Sequence, residues 1–154
     1  GIFGSNGILF NHESPRRGNS FVTKKIVESI AQIKSGKIKS FKLGNLDAKR
    51  DWGYSPDYVK SMWMMLQHDQ PDDYVVATGV EHSIRDFLDV AFECIDIEDW
   101  ERFVIQDERY MRPAEVAVLC GDSSKAREVL GWEPETSFEQ MIINMITNDI
   151  ELLT

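Results

Sequence analysis

An α/β fold is the class this 154-residue sequence predicts. Short apolar runs of strand length alternate with longer segments whose apolar residues recur at the helical period. The turns between them are short and carry Gly or Pro, and two helical segments open on Ser with Asp or Gln three residues later.

Taken in order, Gly7 to Phe10 is an apolar run expected as a strand buried on both faces of a parallel sheet. Residues 11–18 contain Pro15 and Gly18 and are expected as a loop. Ser20 is expected to cap a helix with Phe21, Val22, Ile26, Ile30 and Ile33 on its inner stripe, ended by Gly36. Residues 38–43 alternate like a strand before Gly44. After Arg50-Asp51-Trp52, Ser55 reads as a second cap with Pro56 in the first helical position and Val59, Met62, Trp63 and Leu66 pointing inward.

Residues 73–78 read as a strand closed by Gly79, and Ser83 opens a third helix with Phe87, Leu88, Ala91 and Phe92 inside. An acidic connector, a loop at 110–113 and an apolar run at 116–120 lead to a short helix from about 123 to 130, stopped by Gly131. Ser137 and Gln140 frame a capping box for the last helix, whose inner residues are Phe138, Met141, Ile142, Met145 and Ile146. No repeat or low-complexity segment interrupts this order, so one compact unit is expected.

No apolar run approaches the roughly 20 residues that a membrane-spanning helix needs, so no membrane partner is expected. The start lacks a basic stretch leading into an apolar one, and lacks Met, so the chain is expected to begin mid-protein. Cys94 and Cys120 lie in apolar-patterned segments without CxxC spacing and are expected as buried, reduced thiols of a cytoplasmic protein. His12, His68 and His82 have no ligand-like spacing with one another or with the cysteines, so no metal site is expected.

The net charge of −9 argues against nucleic acid as a partner, but it is unevenly spread. Residues 1–50 hold ten Lys or Arg against three acids, a net of +7, which leaves −16 for the remainder. A local cationic region on an acidic protein suits a small polyanion such as a nucleotide diphosphate; solvated lysines on helix faces are the competing explanation for most of these charges. Gly1, Gly4 and Gly7 match the spacing of a dinucleotide-binding loop. That loop works only between a strand and a helix N-terminus, and here an apolar run and Pro15 follow, so these glycines are expected at loop and strand edges.

The stretch Asn6-Gly7-Ile8-Leu9-Phe10-Asn11-His12-Glu13-Ser14-Pro15-Arg16-Arg17-Gly18 resembles the signature loop of GDP-mannose 4,6-dehydratases. Residues 43–53 (LGNLDAKRDWG), Ala77-Thr78-Gly79, residues 112–116 (RPAEV) and Leu130-Gly131-Trp132 resemble that family's downstream motifs in order and spacing. Short forms of these blocks occur across extended short-chain dehydrogenases/reductases; the long first block favours GDP-mannose. The resemblance implies the last strands of a Rossmann-like parallel sheet plus the small substrate-binding domain, so that residues 1–154 form a carboxy-terminal, sugar-nucleotide-binding portion without the amino-terminal NADP-binding and catalytic part.

It also implies site residues. Asn11, Lys25, Leu43, Gly44, Arg50, Arg112 and Glu115 match positions that hold the GDP-sugar, and His12 and Arg17 match positions that touch NADP. The chemistry of the residues agrees: guanidinium forks at Arg50 and Arg112 bind phosphate oxygens in pairs, Lys25 adds a point charge, and Glu115 can accept from a ribose or guanine. The family pattern differs at Asn19-Ser20, where Glu-Asn is common, and at Tyr54-Ser55, where His-Ala is common. The reaction implied takes a hydride from hexose C4 onto NADP, eliminates water across C5 and C6, and returns the hydride to C6. It needs a Tyr-x-x-x-Lys pair, and none of the four tyrosines has Lys four residues on. Catalytic residues are therefore expected outside this chain. The chain is expected to be part of an NADP-dependent lyase that binds GDP-mannose or GDP and forms a homo-oligomer; a stand-alone sugar-nucleotide-binding module and a related epimerase or reductase are the alternatives.

Overall fold

The computed structural model describes residues 1–111, 114 and 116–153. Parallel strand pairs organise the described residues. Strand β1 (Gly7–Leu9) lies beside β5 (Tyr74–Val76), β2 (Asn11–Glu13) beside β4 (Lys49–Tyr54), and β3 (Phe41–Leu43) beside β7 (Val104–Gln106). The first half of β4 is flanked by the antiparallel β6 (Glu81–Ser83) and the parallel β8 (Val118–Leu119). Parallel pairing requires long crossovers, and the helices α1 (Val22–Lys34), α2 (Ser55–Gln67) and α3 (Ile84–Glu93) run between the paired strands. Helix α4 (Phe138–Glu151) packs against α1 and α3.

The larger core joins the inner faces of α1, α3 and α4 to β3 and β4: Ile26, Ile30, Trp52, Phe87, Phe92 and Met145 are all essentially inaccessible. Each such aliphatic or aromatic side chain contributes about 1.5–3 kcal/mol by leaving water. A smaller core gathers Tyr58 and Met65 of α2 with Tyr74, Val76 and Trp132. The helix stops expected at Gly36 and Gly131, and the strand end at Gly79, all adopt positive φ (70°, 65° and 81°), a region that costs other residues about 1 kcal/mol or more. Ser83 makes the full capping box with Asp86. Ser137 caps α4 by accepting from the Gln140 N–H, but the Gln140 side chain turns forward to Asn144, so only half of that box forms.

Several expectations are corrected. Residues 11–13 form strand β2 rather than loop, because their partner Trp52–Tyr54 is some forty residues distant and invisible to a local pattern. β1 is not buried on both faces: Ile8 is 57% exposed, so the face on which it stands is left uncovered. Ser20 does not cap α1; Phe21 occupies that position with no side-chain bond, and Phe21 and Val22 face outward. Ser55 is the first helical residue of α2 and Tyr54 its cap.

Helix α2 is turned the opposite way from its expected orientation. Val59, Met62, Trp63 and Leu66 are 43–63% exposed, while Asp57, Tyr58, Ser61 and Met65 are buried. Specific partners compensate the polar inner face: Asp57 accepts from the Glu135 and Thr136 N–H groups, its carbonyl takes the Trp132 indole N–H, and Ser61 donates to the Tyr58 carbonyl. β4, β6 and β7 fall where no strand is expected from the sequence, and the run at 116–120 yields the exposed two-residue β8. Cys120 is exposed and Cys94 half-buried, against the burial expected of both. No helix among the described residues is long and apolar enough to cross a membrane.

Candidate functional site

The chain changes sheets at one residue. Phe10 still donates its N–H to Val76 of β5, and Asn11 already stands opposite Trp52 of β4. Where neighbouring strands part like this, a crevice opens beyond their carboxyl ends, the usual ligand position in open α/β sheets. Asn11 accordingly lines two cavities at once.

The larger, about 470 Å³, lies between the N-terminus of α1, the end of β3 and the start of β4. It brings together five of the expected substrate residues from separate segments: Asn11, Lys25, Leu43, Gly44 and Arg50. Arg112 and Glu115 lie outside the described residues. The floor is apolar, with Trp52, Ile84 and Ala48, and Asn19 and Ser20, the positions that differ from the family pattern, stand on its wall. Arg50 is anchored through Nη1, which donates to the carbonyls of Lys49 (2.7 Å) and Val116 (2.8 Å), fixing where the guanidinium plane sits. Gly44 is required by contact: a Cβ there would stand 2.4 Å from the Tyr110 carbonyl oxygen.

The smaller cavity, about 270 Å³, is lined by His12 and Arg17, the two expected cofactor residues, with Leu9, Phe10 and Leu119. His12 Nδ1 lies 2.8 Å from the Phe10 carbonyl oxygen. A carbonyl only accepts, so Nδ1 carries the proton and Nε2 is left for other partners. Arg17 is more heavily engaged than a waiting phosphate ligand. Its Nε is 3.1 Å from Glu13 Oε2, and its guanidinium carbon lies 3.5 Å from the centre of the Phe21 ring. Glu13 is buried, takes a 2.6 Å hydrogen bond from the Thr23 hydroxyl, and is pushed above the ordinary carboxylate range by that burial.

Behind both cavities, Asp51 is fully buried and ties three segments together. Its carboxylate accepts from Thr78 N–H (2.9 Å), Thr78 Oγ1 (2.7 Å), Gly79 N–H (2.9 Å) and Gly121 N–H (3.1 Å). Sequence reasoning placed Asp51 in a motif without giving it a task. It also missed Tyr110, which reaches the large cavity from the 3₁₀ turn Glu108–Tyr110 and whose ring lies 3.8 Å from Lys25 Nζ. A third hollow of about 500 Å³, bordered by Lys34, Cys94, Glu139 and Ile150, contains none of the expected residues. The Cys94 thiol there is pushed up by burial, which disfavours a reactive thiolate.

The model of the GDP-mannose 4,6 dehydratase family matches residues 1–145. The chain is 54% identical to GDP-mannose 4,6 dehydratase 2 of Arabidopsis thaliana, over 99% of this chain and 40% of that protein. It is 46% identical to the human GDP-mannose 4,6 dehydratase, over 99% of this chain and 45% of that one, and 48% identical to the Sinorhizobium fredii protein, over 99% and 48%. The chain thus spans less than half the length of these relatives. Among solved structures, RMD from Pseudomonas aeruginosa complexed with NADPH superposes with a TM-score of 0.86 at 25% identity, over 95% of this chain and 48% of that one. A UDP-glucuronic acid 4-epimerase from Bacillus cereus, at 16% identity and a TM-score of 0.82 over 98% of this chain and 46% of that one, shares the fold, the Rossmann-like architecture of extended short-chain dehydrogenases/reductases. The chain belongs to the GDP-mannose 4,6-dehydratase family.

Proposed function

We propose that this chain is the sugar-nucleotide-gripping portion of an NADP-dependent GDP-mannose 4,6-dehydratase, a lyase whose catalytic tyrosine and lysine are supplied from outside these 154 residues. One observation carries the reading: Asn11, Lys25, Leu43, Gly44 and Arg50 line one cavity, although up to 39 residues separate them in sequence. Two cations and an amide over an apolar floor suit a diphosphate joined to a sugar and a flat base.

The smaller cavity suits one end of a nicotinamide dinucleotide. His12 offers a ring nitrogen and Arg17 a guanidinium to polar atoms of that group, and Asn11 stands on the wall shared with the sugar-nucleotide cavity. When bound, the nicotinamide supplies the hydride acceptor and donor that the C4 oxidation and C6 reduction require. The task of this chain is to hold the GDP and to set the sugar against that shared wall. Alone it has no turnover in this reading, because it contains no Tyr-x-x-x-Lys pair. Association with a second copy through the exposed apolar stripe of α2, and a cytoplasmic location, complete the proposal.

Calorimetry tests it. GDP-mannose is expected to bind more tightly than UDP-glucose, and Arg50→Ala to weaken GDP binding by about 1.5–3 kcal/mol, the contribution of hydrogen bonds to a charged group. Tighter UDP-glucose binding would transfer the assignment to a neighbouring specificity. Turnover of GDP-mannose by the chain with NADP would overturn the absence of catalytic groups.

A further inference from the structure

Arg17 of the smaller cavity, and Lys24, Lys42 and Lys49, each next in sequence to a residue of the larger one, are held by carboxylates. Arg17 pairs with Glu13, Lys24 with Asp149, Lys42 with Asp107 and Lys49 with Glu81. Each pairing fixes a side chain and also cancels its charge, which diminishes its attraction for an anionic ligand. Lys25 is different. Its ammonium lies over the Tyr110 ring, 3.8 Å from the centroid, and no carboxylate pairs with it among the described residues. An aromatic face draws a cation through its quadrupole while adding no negative charge, so Lys25 is located without being neutralised.

The ring is itself held in place from behind. Asp107 accepts from the Arg109 N–H at 3.1 Å and its carboxylate also binds Arg109 Nη2 (2.7 Å) and Lys42 Nζ (3.1 Å), which fixes the 3₁₀ turn Glu108–Tyr110. The Tyr110 carbonyl then presses against Gly44, in a contact that leaves no room for a Cβ. A lysine on a free four-carbon stem would surrender much of its binding energy to rotamer ordering; one already resting on a fixed ring surrenders less.

We propose that Tyr110 is a positioning residue for nucleotide binding: its ring presets Lys25 on the cavity wall, charge intact, to meet the diphosphate. The inference rests on the nucleotide reading given above and adds to it a residue that acts through another.

A double-mutant cycle on the full chain, with GDP as the titrant and circular dichroism to confirm folding, tests it. Tyr110→Phe keeps the ring and is expected to bind within about twofold of the unsubstituted protein, whereas Tyr110→Leu removes the quadrupole and is expected to weaken binding about three- to tenfold. In a Lys25→Met background the same Tyr110→Leu change is expected to have no further effect, which a merely structural role would not produce. Tyr110→Trp, whose larger ring holds a cation better, should bind at least as tightly as Tyr110; weaker binding by a folded Tyr110→Trp overturns the proposal even if the leucine variant does not fold. Equal binding by Tyr110→Leu, or a loss that persists without Lys25, overturns the role of Tyr110 and leaves the nucleotide reading standing. Failure of the unsubstituted chain to bind GDP overturns both.

Discussion

Lys24 and Asp149 form a buried ion pair between the first and the last helix: Nζ lies 2.7 and 2.8 Å from the two carboxylate oxygens and also donates to the Pro15 carbonyl at 3.0 Å. Both side chains are more than nine-tenths buried. Removing one partner strands the other charge away from water, so Asp149→Ala is expected to lower the unfolding free energy by about 3–5 kcal/mol. Combining it with Lys24→Met should recover most of that loss, because no unpaired charge remains. Urea denaturation of the two variants beside the unsubstituted chain checks this; a double variant no better than the single one contradicts it.

Asp51→Asn tests the junction behind the cavities. The carboxylate accepts four hydrogen bonds from Thr78, Gly79 and Gly121, and an amide presents two donors to those same donors. A loss of about 2–3 kcal/mol is expected, since hydrogen bonds to a buried charge are among the stronger ones. Thermal unfolding at neutral pH is sufficient to read it, and an unchanged midpoint would remove Asp51 from the structural role assigned here.

Glu13 makes a pH-dependent contribution with a definite sign. Burial raises its folded pKa above the ordinary 4.5, outweighing the Thr23 hydrogen bond and the Arg17 charge. Below the unfolded pKa both states are protonated. As pH rises past about 4.5 the unfolded chain releases its proton first, so the group's contribution to stability falls until the folded pKa is passed, then levels off. The difference in unfolding free energy between the natural chain and Glu13→Gln should therefore decline with rising pH across that interval. A difference that rises with pH would mean the Arg17 pairing outweighs burial.

Glycines at two sites separate contact from coincidence. Gly44→Ala drives a Cβ against the Tyr110 carbonyl and is expected to cost about 1–3 kcal/mol and to weaken GDP binding, as overpacking does elsewhere. Gly4→Ala, with no atom within 4 Å, should change stability by less than about 0.5 kcal/mol. Parallel measurements on the two variants decide whether the glycine spacing at the start of the chain matters to the fold.

The α2 stripe predicts behaviour in solution. Val59, Met62, Trp63 and Leu66 follow the i, i+3, i+4, i+7 pattern on an exposed face. Trp63→Lys with Leu66→Lys is expected to reduce self-association in sedimentation experiments without lowering helix content. An unchanged mass distribution would count against the proposed association through this face.

What the sequence revealed and what it concealed follow from the range of each interaction. The left-handed glycines at 36, 79 and 131 and the Ser83 capping box depend on neighbours within a few residues, and they were legible. Strands β2 and β4 depend on each other across the intervening α1, and α2 takes its orientation from Trp132 and Thr136, so no local pattern could reveal them. The Lys24-Lys25 pair marks the limit within the site. The two residues are adjacent and chemically identical, yet one is committed to Asp149 in the interior and the other rests on Tyr110 at the cavity. Only the helical angle between them, fixed by packing against α4, separates the buried lysine from the cavity-facing one.

The place of α4 after α1 and α3 in the sequence also governs when the larger core can be completed during synthesis. Met141, Ile142, Met145 and Ile146 supply one wall of the larger core, and the Lys24–Asp149 bond closes a separation of 125 residues. A ribosome that has released α1, α3 and their strands has therefore made a chain whose main core still faces water. With pairings this distant, residues 138–151 act as a latch: the larger core stays open to chaperones and proteases until they emerge, and a product lacking them cannot bury what has already been built.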